Sequence, residues 1–321
     1  MSFSLMVEIM KHIITSILFL FAFKSLAGPS DLASSLLLRQ LVEIDSPSYI
    51  VPDTSIVLPV SPGLDQGKTA LCWAFATLSL LESNLMLRYP QFKNVSFSRA
   101  FIQRNNAEER AIRSYILNDD VFSERGTMST ALELISKYGL MPLDGTKYIS
   151  DYGPTIENSL DRLTSTEEKL NQVKNIIDRV FFKAPPQVSF NGKNYTPQEL
   201  AALALNNQKW LSYGFKSGAK GQWGPHPDPD AFKGTQSWYV DPSQKASIIY
   251  NSLKQGYPLT MLFGGHIIVI YGADYDSSGK PLKYYLKDSS TNGSSPTYAA
   301  EPDYLDRIIL DLETIDLRSK I

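Results

Sequence analysis

Between Cys72 and Arg88, apolar side chains recur so densely, at Trp73, Phe75, Ala76, Leu78, Leu81, Leu85 and Met86, that little of the segment is left to face water. Tyr89-Pro90 ends it, because proline lacks the N–H that would continue the ladder and pushes the preceding residue out of helical geometry. The stretch predicts a helix buried on most sides, with Cys72 in its first turn. Such a helix needs a large host. At 321 residues, 43% hydrophobic and 20% charged, the chain can wrap one large core or two lobes around it.

A net charge of -2 and a pI near 6.0 provide no broad basic surface, which argues against nucleic acid or an anionic membrane as a partner. Near the N-terminus, an apolar run from Ile13 to Phe23 is followed by Ser25-Leu26-Ala27, a small-x-small pattern. The run is shorter than the roughly 20 residues that span a bilayer. Residues 1–27 therefore predict a signal peptide and residues 28–321 the mature domain, exported to the periplasm or secreted and left without a stable membrane anchor. The basic region in front of the run is most regular if translation starts at Met10. With one cysteine the chain forms no internal disulfide even in an oxidising compartment, so its stability must come from packing.

Further along, Met128 to Lys137 reads as a helix with Ala131, Leu132, Leu134 and Ile135 inward and Gly139 as its stop. Residues 155–215 carry polar amphipathic stretches and a Thr196-Pro197-Gln198-Glu199 helix start, and predict a helical insertion. The Gly-, Pro- and Trp-rich stretch from Gly218 to Trp238 predicts a long loop, after which strand patterning takes over.

Cys72 follows the turn residues Pro62-Gly63-Leu64-Asp65-Gln66-Gly67, so its thiol is expected where unpaired helix N–H groups favour a thiolate. Gln66, in the same loop, is placed so that its amide and the Cys72 backbone N–H can together stabilise a tetrahedral oxyanion. In the second half of the chain, Leu259 to Phe263 and His266 to Tyr271 are strand candidates separated by Gly264-Gly265, and Lys283 to Lys287 forms another after Asp276-Ser277-Ser278-Gly279. Folding about Ser277 sets His266 opposite roughly residue 288, where Asp288 is expected to accept the ring's Nδ1–H and leave Nε2 for the Cys72 proton. Taken residue by residue, a buried structural cysteine, a solvated loop amide and a core histidine beside a strand-end aspartate are the alternatives.

The run Asp65-Gln66-Gly67-Lys68-Thr69-Ala70-Leu71-Cys72-Trp73-Ala74-Phe75-Ala76 resembles the active-site segment of papain-like cysteine peptidases. Other stretches are similar to the bleomycin hydrolase and aminopeptidase C branch: Ser96-Phe97-Ser98, Leu134 to Pro142 after Gly126, Lys183-Ala184-Pro185-Pro186, and Tyr195-Thr196-Pro197. The resemblance implies an α+β, two-lobed fold with a helical lobe and an antiparallel, barrel-like sheet lobe. It implies Cys72 as nucleophile, His266 as base, Gln66 in the oxyanion hole, and Gly126 on the substrate backbone, with Arg125, Trp73 and Gly265 beside the substrate. A peptide or protein is the implied substrate, and the chemistry calls for no metal or organic cofactor.

Three departures accompany it. The family's Asn-Ser-Trp-Gly stands here as Asp288-Ser289-Ser290-Thr291, so a carboxylate orients the base and the shielding indole is missing; water is expected to screen the pair. Arg125 replaces the first glycine of the substrate-binding pair and is expected to narrow the cleft or add a charge preference. The chain stops soon after Leu312, so peptides with blocked N-termini are expected to be cleaved. Two other activities fit the same residues: acyl transfer to amines, as in transglutaminases or amidases, and peptide binding by a catalytically weak relative.

Overall fold

The computed structural model describes residues 55–225, 232–291 and 296–315, together with the backbone of Val42–Glu43. The expected signal peptide lies outside these residues. Among them no helix is long and apolar enough to cross a membrane.

The helical lobe is built on α1 (Cys72–Arg88), buried from Cys72 to Leu85 as its composition requires. Packed around it are α2 (Arg99–Ala111), which continues into a π turn at Ile112–Ile116, α3 (Met128–Tyr138) and α6 (Pro197–Leu205). Each start carries a readable device. Ser98 caps α2, Thr127 and Thr130 form a capping box on α3, and Thr196 and Glu199 form another on α6. α3 ends at Gly139, whose φ of +91° suits glycine and whose absent Cβ would lie 2.2 Å from the Pro197 carbonyl carbon. That close approach brings α6 against α3. A separate apolar cluster joins α2 and the π turn to α4 (Gly153–Leu160) and α5 (Thr166–Val180).

The segment expected to be a helical insertion is only partly helical. Val188–Phe190 and Lys193–Tyr195 pair as a β3–β4 hairpin, closed by Asn191 and Gly192 at φ +49° and +76°, the left-handed pair that a two-residue turn demands. Its last residues, Trp210–Phe215, are strand β5 of the main sheet. The stretch expected to be a long loop likewise holds β6 (Gln222–Gly224) and β7 (Thr235–Val240).

The sheet runs β1 (Val42–Glu43), β11 (Thr297–Ala300), β10 (Pro281–Lys287), β9 (His266–Tyr275), β8 (Leu259–Phe263), β12 (Asp311–Ile315), β5, β7, β6, with β2 (Ser55–Val57) also on β9. Its pairings are antiparallel except β5 with β7. Among the described residues the path does not close into a barrel. Helices α7 (Lys245–Lys254) and α8 (Pro302–Ile308) cover a core of Leu253, Met261, Ile268, Ile270, Leu305 and Leu312. The alternate residues of β9, Ile267, Val269 and Tyr271, face the other way into the core of α1. With both faces covered, β9 reads as an apolar run from Ile267 to Ala273, and every residue of the strand is buried. The start of α1 thereby meets the start of β9, and Cys72 meets His266.

Candidate active site

Cys72 is the first residue of α1, 7% exposed, with a free thiol. The loop ahead of it is held by its own bonds: Thr69 Oγ1 donates to the Gln66 carbonyl at 2.8 Å and Gln66 Nε2 donates to the Thr69 carbonyl at 2.8 Å. Gln66 is fully buried, and Ser289 anchors it from the sheet lobe. The Gln66 N–H donates to the Ser289 carbonyl at 2.8 Å, and Ser289 Oγ donates to Gln66 Oε1 at 2.7 Å.

Gly264 and Gly265, at φ +51° and +85°, form the two-residue turn that sets Phe263 directly across from His266. His266 is 0% exposed, and its Nε2 lies 2.7 Å from Asp288 Oδ1. The partner expected from the sequence is therefore the observed one, but through the other ring nitrogen. Nδ1 is buried without a hydrogen bond and is the nitrogen left for Cys72. The register differs as well. The hairpin folds about Ser278 rather than Ser277, with Pro281 opposite Tyr275, and the irregularities at Pro281/Lys283 and Tyr285/Leu286 offset one another, so Lys287 pairs with Val269 and Asp288 stands level with Ile268 rather than with His266. A shift of two residues keeps the same face of the sheet, so Asp288 reaches the ring diagonally.

Water does not screen the pair as expected. Asp288 is 4% exposed and Ser290 3%, and the Ser290 N–H donates to Asp288 Oδ1 at 2.8 Å. Phe263 covers the imidazole edge-on, with ring centroids 5.5 Å apart. Burial is the largest influence on His266 and pushes its pKa down. The Asp288 charge and hydrogen bond, with Cys72 adding to them, outweigh it and push the pKa up to about 10.

The remaining expected residues lie around the cleft. Trp73 is 1% exposed and sits beneath the loop before α3, its Nε1 donating to the Glu124 carbonyl at 3.1 Å. It supports that loop from beneath. A Cβ on Gly126 would come within 2.9 Å of the indole, so glycine is needed for the loop to lie this close. Arg125 is exposed. Arg125, Gly126, Leu262, Ile267 and Glu313 line an open groove of about 430 Å³ between the lobes. Gly265 is exposed at the hairpin tip, next to His266.

A buried charged network behind the site escaped the sequence reading. Arg99 pairs with Glu82, and Glu82 accepts from the Phe97 N–H at 2.7 Å and from Ser61 Oγ. Lys287, next to Asp288, donates to the Ser61 carbonyl at 2.9 Å and to its Oγ at 2.7 Å. Burial pushes Lys287 down to about 8, against the pull of Glu82. The readable signal was Glu82 itself, an acid inside an otherwise apolar helix, which has to find a cation.

The crystal structure of PepW from Lactobacillus rhamnosis aligns with this chain at a TM-score of 0.58 and 13% identity, over 94% of this chain and 91% of that one. The fold is papain-like. Also similar are digestive procathepsin L 3 of the Tenebrio molitor larval midgut (TM-score 0.44, 15% identity, 86% of this chain and 73% of that) and the proform of the ragweed pollen allergen Amb a 11 cysteine protease (0.38, 12%, 85% and 67%). No protein-family profile and no curated protein sequence matches the chain.

Proposed function

We propose that this protein is a cysteine peptidase in which Cys72 is the nucleophile, His266 the acid–base and Asp288 the orienting carboxylate. The observation that carries the reading is the buried 2.7 Å contact between His266 and Asp288 where the start of α1 meets β9. An imidazolium and a helix N-terminus both favour the thiolate of Cys72. The thiolate attacks the carbonyl carbon of a peptide bond, and the electron pair moves to the oxygen. The Cys72 N–H and the second hydrogen of Gln66 Nε2 receive that oxyanion. His266 Nδ1–H then protonates the departing amine, leaving an acyl-enzyme and a neutral imidazole. The imidazole takes a proton from water, whose oxygen attacks the thioester and releases the acid.

The substrate is a peptide or protein lying along the groove, with its backbone against Gly126. On its sequence motifs the chain stands nearest the bleomycin hydrolase and aminopeptidase C branch. Residues 1–27 act as an export signal and residues 28–321 form the peptidase domain, which N-terminal sequencing of the mature protein checks. The test of the chemistry is labelling of Cys72 by an activity-based thiol probe together with hydrolysis of a fluorogenic peptide. Labelling no faster than free cysteine, or turnover retained by Cys72→Ala, would refute the proposal.

A further inference from the structure

Strand β12 turns two acids toward the groove. Side chains alternate along it, so Asp311, Glu313 and Ile315 share a face, and Ile315 carries that face into the core around α1 while Leu312 packs on the other side under α7 and α8. In the pairing of β12 with β8, Asp311 stands beside Leu262 and Glu313 beside Thr260. A hydroxyl holds each carboxylate: Ser212 Oγ donates to Asp311 Oδ2 at 3.0 Å, and Thr260 Oγ1 donates to Glu313 Oε2 at 3.4 Å. Asp311 Oδ1 is buried and has no hydrogen-bond partner, and Glu313 is buried as well. Both residues line the groove of about 430 Å³, together with Gly126 and with Ile267, the neighbour of His266.

Two like charges kept side by side and out of water are costly unless a cation answers them. The cost shows in Asp311, whose carboxyl is pushed well above the ordinary carboxylate range, by burial first and then by the Glu313 charge. The groove's arginines come from the helical lobe, Arg110 in an ion pair with Asp120 at 2.7 Å and Arg125 exposed, and neither donates to Asp311 Oδ1. A divalent metal ion is a poor match, because among the described residues no group of three or more His, Cys, Asp or Glu side chains could hold one. An organic cation on a long apolar stem matches better: its methylenes would lie along Leu262 and Ile267, and its head would reach the two acids. We propose that Asp311 and Glu313 form the acidic end of a specificity subsite that takes the guanidinium or ammonium head of an arginine or lysine side chain. Because Ile267 follows His266, that side chain belongs to a substrate residue close to the scissile bond. The subsite deepens the peptidase reading and rests on it, but its binding signature is separable.

The experiment uses fluorogenic peptides that carry arginine, its neutral isostere citrulline, or glutamate at each position in turn. They are given to wild type, Asp311→Asn, Glu313→Gln and the double variant. At one position wild type should cleave the arginine peptide with a kcat/KM about 10- to 100-fold above that of its citrulline counterpart, the scale of a hydrogen bond to a charged group, with glutamate poorest. Each single variant should lower that ratio, and the double variant should abolish it. Both peptides meet the same sample, so the ratio does not depend on how much of a variant is folded. The same peptides are then measured as Kd by fluorescence anisotropy on Cys72→Ala versions of the four proteins, where no cleavage is needed. Equal Kd for arginine and citrulline peptides at every position, or a preference that survives the double substitution, would overturn the subsite even if peptides are cleaved. Arginine preference in Kd that the double variant loses, from a protein whose wild type cleaves nothing, would overturn the peptidase reading and support the acidic subsite.

Discussion

Asp288→Asn removes one charge from beside His266 while keeping an oxygen where Oδ1 stands. The ring is fully buried, a setting that by itself favours neutral imidazole, yet its pKa is pushed from 6.5 up to about 10. Asp288 is the main source of that rise. An adjacent opposite charge is worth about 1–3 units, so the asparagine variant should lower the alkaline limb of the kcat/KM profile by about 1–3 pH units. Above that limb each unit costs about tenfold in rate. The assay is kcat/KM on a fluorogenic peptide from pH 5 to 11, with the His266 ring followed by NMR. Stability should move with it. A histidine whose folded pKa exceeds its unfolded pKa contributes stability that is fully present below about 6.5 and is lost as pH rises through about 10. At pH 7 to 9 the variant should therefore unfold more easily than wild type, and the difference should vanish above pH 10. An unchanged alkaline limb and unchanged stability would refute the assignment of Asp288 as the source of the shift.

Cys72→Ala should abolish peptide hydrolysis and change stability by no more than about 2 kcal/mol, the size of a small buried side chain, as checked by denaturant titration. Gln66→Ala should lower kcat by about 10²- to 10³-fold if its amide faces the oxyanion, and Ser289→Ala, which frees Gln66 Oε1, should lower it less; steady-state kinetics of the pair reads the difference. Phe263→Ala should let water reach the His266–Asp288 pair, shrinking both the burial penalty and the larger attraction. The alkaline limb then moves down toward the ordinary histidine range, at a cost of about 3–5 kcal/mol in stability, while Phe263→Leu should move it less.

The parts of the fold visible in the sequence are those whose signals are local. The apolar run after Cys72 made α1 legible, Gly264-Gly265 made the β8–β9 hairpin legible, and Thr196 with Glu199 announced α6. Asn191-Gly192 carried an equally local signal between Phe190 and Lys193, but it sits between helix-forming stretches and is followed by the start of α6, which hid it within an apparent helical segment. β7 pairs in parallel with β5, and parallel pairing depends on a distant strand that no nearby residue reports. The bulge at Tyr285/Leu286 has the same character. Turn residues set an approximate register, while the bulge depends on what packs against the two strands.

Within the site, side-chain identity was legible and environment was not. Replacing an indole by Ser290 reads as exposure, because sequence shows what is missing from one position and not what fills the space from another. The cover comes instead from Phe263, across the two-residue turn from His266, where its apolar character looked like ordinary strand patterning. With that cover in place, a carboxylate at position 288 is tolerable only if its charge is matched. Oδ1 receives both the His266 ring and the Ser290 N–H, and an imidazolium supplies the opposite charge. Asp288 and Ser290 therefore act together. The backbone N–H of Ser290 closes onto Asp288, Ser289 holds Gln66, and a dry carboxylate keeps His266 protonated to a pH that burial alone would forbid.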